Sequence, residues 1–379
     1  MNQLVLFNNQ ISDSNQNMLT TDIIVDDSSM SLLEDVIISN ERLNKPTMDQ
    51  LTDEAVIYYF VHKRKHVRKS KDRSSNSKIE YSRVLLQFYN YLKQNKEFFI
   101  QDVSEFNQES LLKNLRPRHI KAYQEYLSTA PLGRKGKPYS AATLDFKSTV
   151  IKSFLKYLYE CSYIDHPLHT HMLSTAISKD EIPNRDLYYH EVKQILDFYE
   201  SNPITHGILT TLAMTGLRIQ EISKAKMKDL YYDPLTGQYR LRGVGKGDKP
   251  FDCLIHLVNF ERIMLFRKRR RMSTSLDPTD DSPLFATQKR KHYTNKNLSN
   301  FVIREIEKTK LPFLQHRESK ITPHSFRHFF AIYSRQMGAD ILEIQQALHH
   351  QDRRTTERYL EKVLEREKEV AARWNPEKF

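Results

Sequence analysis

Apolar residues recur three and four positions apart along most of this chain, the spacing of one face of a helix, and only briefly alternate as a half-buried strand would. Leu51, Ala55, Tyr58, Tyr59 and His62 form a first stripe, with Thr52 placed as its N-cap. A basic, serine-rich stretch from His66 to Lys78 then reads as a loop. It is followed by a second stripe of Ile79, Val84, Leu85, Phe88, Tyr89 and Leu92. Ile120, Tyr123, Tyr126 and Leu127 give a third. After the basic turn Gly133–Pro138 comes a fourth, Phe146, Val150, Ile151, Phe154, Leu155 and Leu158, which Ser140 or Thr143 can cap. Helices of this kind predict a small all-α domain over residues 47–164.

Residues 165–187 carry Pro167 and Pro183 among scattered polar residues without periodicity, and are expected to link two domains. The second domain, 188–379, opens with helices predicted over Glu191–Tyr199, Gly207–Thr215 and Arg218–Met227, with Gly216 ending the middle one. Gln238–Arg242 and Phe251–Leu257 alternate in strand fashion around the turn Gly245-Lys-Gly-Asp, which predicts a hairpin. The rest returns to helical spacing. The expected fold is therefore mainly α with a small antiparallel β-sheet, in two domains. Residues 1–46 show only short apolar clusters among Asn, Ser, Asp and Gln, and are expected to form a poorly ordered acidic tail.

Composition agrees with a helical protein: the 379 residues include only 9 Gly and 14 Pro. Charge adds a partner. The net charge is +12, yet the first 46 residues hold seven acidic side chains against Arg42 and Lys45. The body is thus more basic than the whole, which points to a polyanion, most simply nucleic acid. Arg134, Lys135 and Lys137, with Lys147 and Lys152 on the helix that follows, offer a basic face for phosphates; a solvated helix surface is the bland alternative for each lysine. Cys161 and Cys253 lie far apart, outside disulfide or metal-ligand spacing. With no apolar run long enough to span a membrane and no signal peptide, a cytoplasmic location is expected, nucleoid-associated when bound to DNA.

Six polar groups of the second domain stand where a helical core does not need them. Arg218 follows Thr215-Gly-Leu at a helix start, and Lys246 sits in the hairpin tip. His324 and Arg327 lie one helical turn apart, His350 follows the predicted helix Ile341–Leu348, and Tyr359 stands nine residues beyond it. Each has an ordinary reading alone: a chance surface turn, a solvated turn lysine, a helix-face aromatic. Together they suit one reaction. Two permanently charged guanidinium groups can clamp the non-bridging oxygens of a phosphodiester under attack. A phenol becomes a nucleophile when a base and a cationic field lower the cost of the phenolate. A lysine or histidine can protonate a departing alkoxide. Acidic residues suited to a two-metal mechanism are lacking around these positions, so neither metal nor nucleotide cofactor is expected.

The order and spacing resemble the tyrosine recombinase family, the integrases of phages and transposons and the Xer-type resolvases. The matching stretches are Ala213–Ile222, Val244–Lys249, Thr322–Ala331, Met337–Leu348 and Leu348–Tyr359. Looser similarity, over Tyr139–Thr143 and the helix after it, extends to the family's core-binding domain. The resemblance implies a two-domain clamp on DNA, a helical core-binding domain facing a catalytic domain. It implies Arg218 and Arg327 as phosphate clamps, Lys246 as the acid for the leaving 5′-hydroxyl, His324 as a helper in proton transfer, His350 at the phosphate or the tyrosine, Tyr359 as nucleophile, and Glu221 as support for the first arginine. The family usually has Gly where this chain has His349, which asks for a non-glycine residue at positive φ.

The resemblance further implies duplex DNA with inverted-repeat core sites as partner, a homodimer on one site and a homotetramer in the synapse, with a possible accessory factor. The charged tail after Tyr359, with Leu360, Val363, Leu364, Val370 and Trp374, either packs into a neighbouring subunit or folds back on its own domain. Two rivals stay open at this point: a non-catalytic DNA-binding protein on the same scaffold, and a related topoisomerase or telomere resolvase.

Overall fold

Three of the helices of the first unit begin at serine or threonine caps, because an oxygen there satisfies a backbone N–H that the first turn leaves unpaired. Thr52 accepts from Ala55 N–H, Ser74 from Ser77 and Ser140 from Thr143. They open α2 (Asp53–His62), α3 (Ser75–Gln94) and α6 (Ala141–Glu160), and among these lie α4 (Lys96–Asp102) and α5 (Pro117–Thr129). The expected stripes face one core, with Phe60, Phe88, Tyr123 and Phe154 all but fully buried, except that Phe146 of the fourth stripe is 41% exposed. The structure, a computed structural model, describes residues 28–68, 72–175, 184–245 and 247–367. It divides into two compact units on either side of the Ile182–Pro183 bond.

Two expectations for this half are corrected. The tail expected over residues 1–46 contains α1 (Met30–Arg42), whose Leu33 and Ile37, one turn apart, are buried in the unit's core. Asn40 ties its end down by donating to the carbonyls of Thr47 and Asp49. Met30 and Val36 pack against the same core, while Ile38 on the same helix stays 44% exposed, so the apolar positions alone do not say which face is inward without the surface that covers it; residues 1–27 lie outside the described residues. The linker expected over 165–187 is also shorter, since Leu168 in a 3₁₀ turn (Leu168–His171) is buried in the first core and Leu187 in the second.

The second unit is built around α8 (Pro203–Thr215), an apolar helix that is buried along most of its length. Around it lie α7 (Tyr189–Phe198), α10 (Leu257–Arg269), α11 (Asn295–Thr309) and α12 (Pro323–Gln336). Helix α10 crosses α8 so closely that a Cβ on Gly207 would stand 2.9 Å from the Arg262 carbonyl oxygen. The short α9 (Ile219–Lys224) ends before Met227, earlier than expected, and leads into a sheet of order β1-β2-β3. The expected hairpin is β2 (Gln238–Val244) against β3 (Pro250–Ile255), paired antiparallel from Tyr239↔Ile255 to Val244↔Pro250. The strand β1 (Leu230–Asp233), missed by the alternation argument, adds to the β2 edge.

The chain closes with α13 (Ile341–Ala347) and α14 (Arg353–Glu367). Leu360 of α14 packs with Ile344, Leu348, Ala331 and Ile332 in a small core distinct from that around α8, and Val363 and Leu364 pack against it. The apolar stripe of the terminal helix is thus covered by its own unit as far as residue 364; Val370 and Trp374 lie outside the described residues. Among the described residues no helix is long and apolar enough to cross a membrane.

Candidate active site

Helix α8 ends in Gly216 at φ +60, where a Cβ would stand 2.7 Å from Phe330 Cγ and 2.8 Å from Leu348 Cδ2. Only glycine fits both the backbone and the space. The turn it makes presents Arg218 at the start of α9. Glu221, one helical turn on and 4% exposed, accepts the Arg218 backbone N–H at 2.7 Å on one oxygen and the guanidinium at 3.0 Å on the other. Gly245, at the base of the β2–β3 hairpin, lies against the same carboxylate: a Cβ there would come 2.8 Å from Glu221 Oε1. Lys246, the expected acid, is outside the described residues.

Arg327, on α12, is 2% exposed. It donates from Nη1 to the Gly216 carbonyl at 2.7 Å and from Nη2 to the Leu348 carbonyl. One guanidinium therefore joins the turn that presents Arg218 to the end of α13. Burial, then the neighbouring Arg218 charge, lowers its pKa to about 10, which still leaves it charged at neutral pH. Tyr359, within hydrogen-bonding reach of this guanidinium, favours the charged form.

Beyond Leu348 the chain turns through His349 at φ 52. This is the left-handed residue that ends many helices and is usually glycine; here an imidazole occupies it, its ring 5.7 Å from that of Phe251. The turn delivers His350, which is 8% exposed and has Nδ1 at 2.9 Å from the Thr356 hydroxyl and Nε2 buried with no hydrogen-bond partner.

Tyr359 projects from α14 into a surround of imidazoles. Its hydroxyl is 3.2 Å from His324 Nε2. The His324 and His350 rings stand perpendicular to its own, with centroids 5.4 and 5.0 Å away. Burial, followed by the neighbouring His328, Arg185, Arg327 and Arg218, lowers the His324 pKa to about 3. Burial and then Arg327 and Arg218 do the same to His350. Both rings are neutral at physiological pH in the free protein. A neutral imidazole can take a proton from a phenol, but at so low a basicity the transfer is uphill until an anion offsets the surrounding positive charge.

Arg218, His324, Arg327, His350 and Tyr359 are thus brought together from four elements, while the basic residues of the first unit behave differently. Arg134, Lys135, Lys137 and Lys152 are exposed, as a phosphate contact requires. Lys147 is not free in that sense: it donates to Gln87 Oε1 at 2.5 Å and lies 4.6 Å from the Tyr139 ring centroid. At roughly 100° per residue it also points about 140° away from Lys152 around the helix axis, so the two do not form one face. The sequence reading missed His328, whose ring stacks on Tyr359, and Thr356, which holds His350. The signal for His328 was its i, i+4 relation to His324. Among the described residues no group of three His, Cys, Asp or Glu side chains is placed to hold a metal ion.

Residues 185–366 match the Phage integrase family. The chain is 26% identical over 315 residues to a tyrosine recombinase of Pseudothermotoga lettingae, covering 83% of this chain and 96% of that one. It is 25% identical over 297 residues to tyrosine recombinase XerD of Rickettsia bellii, covering 76% and 88%. In fold it is similar to the site-specific recombinase XerH bound to palindromic difH substrate in a post-cleavage complex. That match has a TM-score of 0.56 and 22% identity, and covers 76% of this chain and 78% of the other.

Proposed function

We propose, from the match of residues 185–366 to the Phage integrase family and the similarity to tyrosine recombinases, that the chain is a site-specific DNA recombinase acting through a covalent link to Tyr359. The observation that carries the reading is the Tyr359 hydroxyl, 3.2 Å from a neutral His324 and beside the buried Arg327 guanidinium.

The phosphodiester enters against Arg218, whose side chain keeps 29% of its surface open. Arg327, held by two carbonyls, supplies fixed charge from behind. The phosphate's negative charge offsets the cations that depress His324 and His350, so both rings become more basic as substrate binds. His324 then takes the phenol proton while Tyr359 Oη attacks phosphorus. The phosphorus–O5′ bond breaks, Lys246 protonates the departing 5′-oxygen, and the 3′-phosphate stays on the tyrosine. The ester formed is close in energy to the bond lost, so the reverse attack by a 5′-hydroxyl reseals the strand without a nucleotide or metal cofactor. His350, fixed by Thr356, serves the phosphate with its free Nε2.

Duplex DNA carrying inverted-repeat core sites is the substrate, bound by a homodimer and paired as a homotetramer, with strands exchanged through a Holliday junction. The first unit adds contacts to the DNA backbone through Arg134, Lys135, Lys137 and Lys152. The setting is cytoplasmic. The experiment is covalent trapping: wild type and Tyr359→Phe are incubated with DNA of the source genome, denatured, and the protein-linked fragments sequenced. Adducts in the wild type alone, converging on short inverted repeats, are expected. Tight, salt-sensitive binding without adducts would favour a non-catalytic DNA-binding protein. Relaxed circles or hairpin ends in place of exchanged strands would indicate a topoisomerase or telomere resolvase.

A further inference from the structure

The hydroxyl of Tyr359 is fixed by His324, but a hydrogen bond at one end leaves a phenol free to rotate about its long axis. What holds the plane of the ring is His328. Its imidazole lies flat on Tyr359, with centroids 4.0 Å apart and planes at 23°. His324 and His328 are one turn apart on α12, so one helix face grips the tyrosine by its oxygen and by its face. His350 closes the remaining side edge-on.

His328 is itself held from behind. Its Nδ1 faces Asp186 Oδ1 at 3.7 Å, beyond hydrogen-bond distance and an ion pair only when the imidazole is protonated, and both side chains are nearly buried. Asp186 belongs to the segment that leads into the second unit, and that segment is stitched to the loop before α12. Arg317 donates to the Asp186 carbonyl at 2.6 Å and to Glu191 at 3.1 Å, and Ser319 donates to the Asn184 carbonyl at 2.6 Å. A carboxylate this close to one edge of the imidazole, without a hydrogen bond to it, acts on the ring's orientation through its charge. The steps of the proposed reaction leave this pair without a task.

We propose that His328, backed by Asp186, is a positioning residue that sets the plane of Tyr359 for in-line attack, so that the lead-in segment of the catalytic unit governs the aim of its nucleophile. The inference rests on Tyr359 being the nucleophile and adds residues that the six-residue constellation does not contain.

The test uses the full chain and a duplex fragment carrying the cleavage position mapped for the wild type. Rates of covalent adduct formation and DNA affinities are measured separately for wild type, His328→Ala, His328→Phe and Asp186→Asn, with thermal unfolding of each. His328→Ala is expected to form adduct roughly 10²-fold more slowly, the scale set by a small misplacement of a reacting group, with affinity kept within about twofold. His328→Phe keeps a flat face and recovers most of the rate, and Asp186→Asn loses about tenfold. Adduct formation by His328→Ala at the wild-type rate overturns the proposal. So does a Phe variant as slow as the Ala one, since the imidazole nitrogens and not the ring plane would then matter. Parallel loss of binding, unfolding temperature and rate assigns His328 to the fold and overturns it as well. Absence of any adduct from the wild type removes the proposed function and this inference together, whereas a working wild type beside an indifferent His328 removes the inference alone.

Discussion

Glu221 holds Arg218 from both ends, taking its backbone N–H at 2.7 Å and its guanidinium at 3.0 Å on separate oxygens of one buried carboxylate. The arginine is therefore aimed before any phosphate arrives, and no ordering is left for the moment of reaction. Glu221→Ala is expected to slow covalent adduct formation at least about tenfold, because a small error in aim is costly in a transition-state clamp. It also leaves a backbone donor uncapped, so unfolding free energy falls by about 1–3 kcal/mol. Single-turnover cleavage and denaturant unfolding measure the two effects; wild-type cleavage would refute the role.

The two arginines of the proposed clamp are built differently, and their alanine variants separate. Both lose adduct formation by more than roughly 10²-fold, the scale for removing a transition-state donor. Arg218→Ala costs less stability, since the side chain is partly open and the buried Glu221, though it loses a cation, keeps the backbone N–H of residue 218. Arg327→Ala strands the Gly216 and Leu348 carbonyls in the interior and lowers unfolding free energy by about 2–4 kcal/mol. Equal stabilities for the two variants would contradict the structural role given to Arg327.

Gly216→Ala tests the turn between α8 and α9. The added Cβ would meet Phe330 and Leu348 at 2.7–2.8 Å on a backbone of φ +60. A cost of about 2 kcal/mol or more is expected, together with loss of cleavage, because the same turn presents Arg218 and offers Arg327 its acceptor. An alanine variant with wild-type unfolding and cleavage would show that the turn relaxes freely.

His324 and His350 give the free protein a pH dependence of definite sign. Both are lowered from an ordinary 6.5 to about 3. Between these values the unfolded chain binds protons that the folded one refuses. Their contribution to stability is therefore complete above about pH 6.5 and is lost as pH falls toward 3. The unfolding temperature of the free protein is expected to drop between pH 7 and pH 5, and less so in a His324→Gln, His350→Gln double variant. Bound cleavage-site DNA, whose phosphate raises both groups, also flattens the dependence. Identical pH profiles for wild type and the double variant would exclude these imidazoles as its source.

Much of this protein is legible in its sequence alone. Helix stripes, the caps Thr52 and Ser140, the stop at Gly216 and the β2–β3 hairpin are encoded within a few residues of where they act, because spacing, capping and turn chemistry are local properties. The order of Arg218, Lys246, His324, Arg327, His350 and Tyr359 is equally a property of the chain, and it pointed to phosphotyrosine chemistry before any contact was known. Only tertiary structure decided what depends on packing between distant segments. The inward face of α1, the addition of β1 to the sheet and the pairing of Lys147 with Gln87 follow from which surface each element meets. The Arg327 bond to Gly216 joins residues 111 apart, and the Tyr359–His324 contact joins residues 35 apart. The flat seat of Tyr359 on His328, and the carboxylate of Asp186 behind it, exist only once α12, α14 and the lead-in segment are packed together. Burial among fixed cations then sets the basicity of the imidazoles, a quantity that no local pattern of residues carries.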